Sequence, residues 1–169
     1  IRIFRNRKRS GATAALSKLL SLSRGKYISL CDADDLMLPM NLRRLSSVLD
    51  EDRHVGIVFG DSLFLRLGAN RRLNEILVAR SEHLENAWDI VQPPIRGGGS
   101  MLRRSSLVAA GGFNTNHVFL GHADVYFRIT ELSEPRYLQG EVHYVYRKRM
   151  KSTSRSKTFD THVRREADW

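Results

Sequence analysis

The stretch ISLCDADDLMLP, Ile28 to Pro39, decides how this chain is read. Four apolar or small residues run into Asp32-Ala33-Asp34-Asp35, and the chain then turns apolar again. Like charges this close repel, so something must compensate them: solvent, a helix N-terminus or a metal ion. Upstream, KYISLC (26–31) has the length of a strand and an end that is nearly all apolar or small. That pattern suits a central strand covered on both faces.

Working outward, ATAALSKLLSLS (12–23) places Ala15, Leu16, Leu19, Leu20 and Leu22 near helical spacing, and Arg24-Gly25 supplies a stop. After the acids, Pro39 fits the first turn of a helix, and MNLRRLSSVLDE puts Leu42, Leu45, Val48 and Leu49 on one face. VGIVFG (55–60) is a second buried strand, SLFLRL (62–67) a third, and GANRRLN a turn. Ser81 is positioned to cap a helix over 82–91, with Glu82 and Glu85 in its first turn. QPPIRGGG is loop, SMLRR a short strand, and SSLVAAGG a brief helix ended by Gly111-Gly112. HADVYFRITEL (122–132) is helical, with Val125, Ile129 and Leu132 on one face and Tyr126 and Phe127 in core positions, as Trp88 is in the helix before it. PRYLQG and VHYVYR close the ordered part as strands, with Tyr137, Tyr144 and Tyr146 at half-buried positions; IRIF (1–4) opens the chain as another. Strands alternating with helices predict a mostly parallel α/β sheet flanked by helices. Ligands of such sheets bind outside the carboxyl ends of the strands, where the acids lie.

The 169 residues fit one domain, and 41% hydrophobic content is enough for a core. No apolar run approaches the roughly 20 residues that cross a bilayer. The single Cys31 excludes an internal disulfide and a cysteine-built zinc site and points to a reducing compartment. The net charge of +10 resides at the ends. Residues 1–9 hold five Lys/Arg and no acid, residues 147–169 hold eight Lys/Arg against three acids, and residues 10–146 hold fifteen of each sign. Basic ends are either solvated tails or contacts for anionic headgroups, nucleic acid or phosphorylated substrates. A charge-neutral body without a recognised binding motif argues against nucleic acid. The chain opens on Ile1 inside a strand-like segment, so a fragment is expected.

Three carboxylates at a strand end make a hard oxygen-rich site suited to Mg²⁺ or Mn²⁺, which often take one or two protein carboxylates and complete their shell with substrate phosphates. The competing reading is that the acids cap the helix that begins near Pro39.

In order along most of the chain, SGATAALSKLLSLSRGKYISLCDADDLMLPMNL, GGGSMLRRSSLVAAGGF, DVYFRI and VYRKRMKSTS resemble the motifs of family 2 glycosyltransferases of the GT-A fold. The resemblance implies a nucleotide-diphospho-sugar transferase domain over 1–147, N-terminally truncated with its first strand and helix missing, and a basic tail over 148–169. It implies that Asp32 and Asp34 form the Asp-x-Asp pair. Asp32 would approach the nucleoside ribose, Asp34 would ligate a divalent ion on the donor diphosphate, and Asp35 would support that site or cap the next helix. The implied reaction is inverting transfer of a sugar from a nucleotide sugar to a saccharide or lipid-linked acceptor. The implied setting is cytoplasmic glycan or polysaccharide assembly, with peripheral membrane contact through the basic ends.

Two positions depart from the family pattern. Where the family carries Glu-Asp before a helix, its Asp being the general base, this chain has Gly121-His122. His122, with an ordinary pKa of about 6.5, and Asp124 are the two candidate bases. A His often found after the Tyr-Arg strand is Arg149 here, which can meet a donor phosphate. Gly97, Gly98 and Gly99 permit close approach of a substrate or form plain loop; Arg103 and Arg104 face an anionic substrate or the surface; Asp61 lines the cleft or starts a turn. Two other functions remain open: an Mg²⁺-dependent aspartyl phosphotransferase, whose motif is poorly matched after Asp34, and a catalytically degenerate binding domain.

Overall fold

The computed structural model describes residues 2–8, 10–68, 72–80, 98–117 and 121–148. The expected helix over 82–91, Trp88, Gly97, Arg149 and most of the basic tail lie outside the described residues.

Among the described residues, four helices and six strands follow in the order α1 (Gly11–Leu22), β1 (Tyr27–Ser29), β2 (Leu36–Met37), α2 (Asn41–Glu51), β3 (Val55–Leu67), β4 (Leu73–Ala79), β5 (Met101–Arg103), α3 (Arg104–Ala109), α4 (Gly121–Thr130) and β6 (Glu134–Lys148). The sheet order is β1-β5-β3-β6-β2, with β4 also on β3. β1 and β3 each pair antiparallel with β5, and β3 pairs parallel with β6. β1, β3 and β6 therefore point the same way, while β2, β4 and β5 run against them. Only the β3–β6 pairing is parallel, so the described sheet is mixed and not mostly parallel, and β1 is a half-buried strand at one end of it and not a central one. This direction gathers the carboxyl ends of three strands at one edge of the sheet.

The long strands β3 and β6 form the spine. Val55 to Gly60 pair with Glu134 to Leu138, and Asp61 to Arg66 pair with Val142 to Lys148. β6 advances from Leu138 to Val142 while β3 advances one residue, and Gly140 takes φ 79° inside that bulge. SLFLRL is thus the second half of β3, and PRYLQG and VHYVYR are one strand, because the bulge absorbs the turn residues Gln139-Gly140 without ending the pairing. β6 occupies one edge of β3, and β5 and then β4 occupy the other. β4 has no period-2 pattern: Ile76, Leu77 and Val78 are all about half exposed, so both its faces are apolar and open.

Two apolar layers sandwich the spine. On one face, Leu45, Val48 and Leu49 of α2 pack on Val55, Val58 and Met101. On the other, Val125, Tyr126 and Ile129 of α4 and Leu107 of α3 pack on Ile57, Phe59 and Leu102, with Leu16 and Leu20 of α1 alongside. Each fully buried aliphatic side chain stabilises the fold by roughly 1.5–3 kcal/mol. The close approach of α4 needs Gly56: a Cβ there would stand 2.7 Å from Ser133 Cβ and 3.1 Å from Ile129 Cγ2.

Four apolar expectations are revised. Residues 2–4 of IRIF form no strand, and Ile3 is 89% exposed; Ile1 lies outside the described residues. Leu42 is exposed because the buried stripe of α2 runs through Asn41, Leu45, Val48 and Leu49. Leu19 lies on the flank of the face of α1 that carries Leu16 and Leu20. Leu132 falls in the turn beyond α4, where helical phase no longer applies. Among the described residues, no helix is long and apolar enough to cross a membrane.

Candidate functional site

The acids form the tight turn between β1 and β2: the Asp35 N–H donates to the Asp32 carbonyl at 3.1 Å. They do not cap the next helix. The N-cap of α2 is Met40, in the left-handed region at φ 69°, with no side-chain cap and no acid in the first turn. Pro39 accordingly sits before the helix and not in its first turn.

The three carboxylates are instead divided. Asp32 and Asp34 are exposed, while Asp35 is 7% exposed. Asp35 Oδ2 accepts the Tyr144 hydroxyl at 2.9 Å, and its Oδ1 accepts the Arg147 N–H at 2.9 Å. Burial raises the Asp35 pKa above the usual carboxylate range, the two hydrogen bonds pull the other way, and Asp32 and Asp34 add to the rise. The Tyr144 hydroxyl also accepts the Asp32 N–H at 3.0 Å, and Arg147 Nε donates to the Asp34 carbonyl. β6 thus holds the turn by its backbone and its third acid, leaving the first two carboxylates facing outward.

Tyr144 was legible in the sequence only as a strand tyrosine, but it is 1% exposed and its ring lies against Gly98 and Gly99. A Cβ on Gly98 would overlap the ring at Cζ and Oη, and one on Gly99, where φ is +83°, would lie 2.6 Å from Tyr144 Cβ. These glycines therefore admit a protein side chain. Gly97 lies outside the described residues.

His122, at the start of α4, is near enough to Asp32 for that charge to act on its imidazole. The ring centroids of Phe113 and Tyr126 lie 6.4 and 6.5 Å from it. Burial lowers the His122 pKa below 6.5, and Asp32 only partly opposes this, so the imidazole is neutral at pH 7. The Tyr126 hydroxyl lies 2.6 Å from Ser100 Oγ, and Ser29 Oγ donates to the Ser100 carbonyl at 3.0 Å, tying α4 and β5 to β1.

Asp124 is placed differently. Its carboxylate accepts Arg128 Nη2 at 2.6 Å and Nε at 3.2 Å, with His117 Nε2 3.9 Å away. The same guanidinium donates to the Gly112 carbonyl at 2.8 Å and to that of Ala110. Asp124 therefore buckles α4 to the Gly111-Gly112 turn through Arg128. Arg103 is likewise structural: it donates to the carbonyls of Val55, Asp52 and Leu49, closing the end of α2. Asp61 starts no turn. It lies within β3, buried, with the Tyr137 hydroxyl donating to Oδ1 and Arg80 Nε 3.7 Å from Oδ2.

Among the described residues, no three His, Cys, Asp or Glu side chains converge to hold a metal. With Asp35 occupied, the available donor set is the two exposed carboxylates of Asp32 and Asp34. That set suits Mg²⁺ or Mn²⁺, which bind through one or two carboxylates together with substrate phosphates, and not a metal that needs a full protein cage.

Comparison with known proteins agrees with this architecture. Over 66 residues, 39% of this chain and 23% of the other, the sequence is 30% identical to an uncharacterized glycosyltransferase of Methanocaldococcus jannaschii. The fold resembles the crystal structure of S. aureus TarS 1–349 in complex with UDP-GlcNAc, with a TM-score of 0.63 and 15% identity, covering 92% of this chain and 45% of that one. Against TarS 1–349 without that ligand the TM-score is 0.59 at 15% identity, covering 84% and 42%. At these identities the likeness to TarS is one of fold, and the chain spans less than half the length of any of these proteins. The model of glycosyl transferase family 2 matches residues 1–110, well over half of the chain; the chain belongs to that family.

Proposed function

We propose that this chain is the α/β catalytic portion of a metal-dependent, inverting glycosyltransferase that moves a sugar from a nucleotide sugar to an acceptor hydroxyl. The observation that carries the reading is the division of labour in the acidic turn. Asp35 is buried and anchored, whereas Asp32 and Asp34 are held outward at the carboxyl end of β1 with no helix to cap. Family membership supports the reaction class, and the UDP-GlcNAc complex of TarS makes a UDP-sugar the first donor to test.

Asp34, assisted by Asp32, would hold Mg²⁺ or Mn²⁺, and Asp32 would also approach the ribose of the nucleotide. When bound, such an ion supplies positive charge opposite the negative charge that builds on the departing nucleoside diphosphate. His122 is the base we assign. Its imidazole is neutral at pH 7, and the flanking Phe113 and Tyr126 rings restrict water around it. It takes the proton of the acceptor hydroxyl as that oxygen bonds to the anomeric carbon. The bond from that carbon to the phosphate oxygen breaks, the diphosphate leaves with the electron pair, and the configuration inverts. Glycan or polysaccharide assembly, with a saccharide or lipid-linked acceptor at a membrane surface met by the basic ends, is the setting this chemistry fits.

One observation favours a binding domain without transfer activity: Asp124, the acid near the family's base position, is committed to Arg128. Calorimetric titration of UDP, GDP and dTDP with and without Mn²⁺, on the unsubstituted chain and on Asp34→Asn, tests the donor site. Binding that needs Mn²⁺ and disappears in Asp34→Asn is expected; binding indifferent to both defeats the reading. Transfer lost in His122→Gln with nucleotide binding intact separates the enzyme from the binding domain.

A further inference from the structure

We infer that Tyr144 is a positioning residue for the acidic turn and that Gly98 sets its place, so that the loop before β5 controls metal-dependent nucleotide binding from a distance. The inference rests on the proposed donor site and extends it to residues that touch neither metal nor nucleotide.

The geometry is a chain of three contacts. Gly98 and Gly99 leave room for the Tyr144 ring, which fills the space their absent side chains would take. The ring carries its hydroxyl to a point where it accepts the Asp32 N–H at 3.0 Å and donates to Asp35 Oδ2 at 2.9 Å. A hydroxyl can do both at once, as one donor with two acceptor lone pairs. The two bonded groups stand at opposite ends of the turn, so one oxygen fixes its span. Among the described residues of β6 the other contacts to the turn go elsewhere: the Arg147 N–H holds Asp35 by the other oxygen, and the Arg147 guanidinium reaches the Asp34 carbonyl. Without the hydroxyl, Asp32 loses its only tether to β6 among the described residues, while Asp34 and Asp35 keep theirs. The spacing of the Asp32 and Asp34 carboxylates then relaxes. Two ligands that must meet one ion together feel this, whereas the sheet keeps the buried Tyr144 ring and its pairing with β3 and loses only the hydrogen bond to Asp35 Oδ2.

The assay is calorimetry of UDP with and without Mn²⁺, with GDP and dTDP alongside, and a thermal melt on every variant. Tyr144→Phe keeps the ring on Gly98 and Gly99 and removes only the hydroxyl. We expect the Mn²⁺-dependent gain in nucleotide affinity to fall about tenfold, the effect of one hydrogen bond in a charged setting. Gly98→Ala, which leaves Tyr144 intact but pushes its hydroxyl aside, is expected to reproduce that loss. The double variant is expected to lose no more than either alone, because both act on one oxygen. A purely packing role for Tyr144 lowers the melt without changing the ratio of affinities with and without Mn²⁺, and that pattern overturns the inference. So does a Gly98→Ala variant that binds normally, or a double variant in which the losses add. If the unsubstituted chain shows Mn²⁺-dependent binding that Tyr144→Phe retains in full, the clamp fails and the donor site stands. If the unsubstituted chain shows none, the donor site fails and the clamp falls with it.

Discussion

Replacing Asp124 by Asn tests which of the two candidate bases does the chemistry. The side chain of Asp124 is 9% exposed and that of Arg128 26%, with N···O distances of 2.6 and 3.2 Å. Breaking a fully buried ion pair by removing one partner costs about 3–5 kcal/mol. Here the surviving Arg128 is partly solvated and keeps the carbonyls of Gly112 and Ala110, so the expected loss is smaller, about 2 kcal/mol. For a chain of this size that is a fall in Tm of roughly 4–8 °C. Urea unfolding should show it as a lower midpoint with an unchanged slope, since the surface exposed on unfolding is the same. The same variant, assayed well below its Tm, should keep its transfer rate within roughly tenfold if His122 is the base, because the Asp124 carboxylate is committed to Arg128. His122→Gln should do the reverse: little change in midpoint, but a rate lower by about 10²–10⁴-fold, the contribution of a general base. An Asp124→Asn variant of unaltered stability whose rate falls a hundredfold or more would refute the assignment and make Asp124 the base.

The remaining predictions use other parts of the molecule. His143, in β6, is 5% exposed with Glu141 Oε2 3.5 Å from its Nε2. Burial lowers the pKa of both His122 and His143, so the unfolded chain takes up protons first as the pH drops. Stability should therefore be full above about pH 6.5 and decline from there down through the folded-state values, and pH-dependent unfolding midpoints will show this against His143→Gln, which should flatten the decline. For the same reason the transfer rate should stay flat to a pH below the usual imidazole range before it falls, as a pH–rate profile will show. Gly56→Ala should destabilise the fold by about 1–3 kcal/mol, because its methyl would overlap Ser133, and Ser133→Gly should restore part of the loss in the double variant. Arg103→Ala removes the donors from the carbonyls of Val55, Asp52 and Leu49 and should cost about 2–4 kcal/mol in chemical denaturation without changing nucleotide affinity.

Local periodicity carried much of the architecture. The helical spacing of Leu45, Val48 and Leu49, the apolar run Val55 to Phe59 and the glycine stop at Gly111-Gly112 each act over a few residues, and each lies in the element their pattern predicts. Where the pattern misled, a neighbour distant in sequence decided. β4 lacks alternation because neither of its faces is covered, so pairing to β3, and not burial, makes it a strand. The junction at Gly140 looks like a turn until β3 is there to carry the pairing across it.

The acidic turn shows the same division. ISLCDADD by itself placed the carboxylates after a strand in an α/β sheet, because strand length, apolar content and charge spacing are properties of adjacent residues. Which carboxylate is buried and which two face outward is settled by Tyr144 and Arg147, more than 100 residues away. Our assignment of the base to His122 and not Asp124 likewise rests on distant groups: Arg128, which holds the Asp124 carboxylate, and the Phe113 and Tyr126 rings beside the imidazole. Charge and hydrogen bonding in a site depend on which groups meet in space and how far water is excluded, and a one-dimensional pattern contains neither.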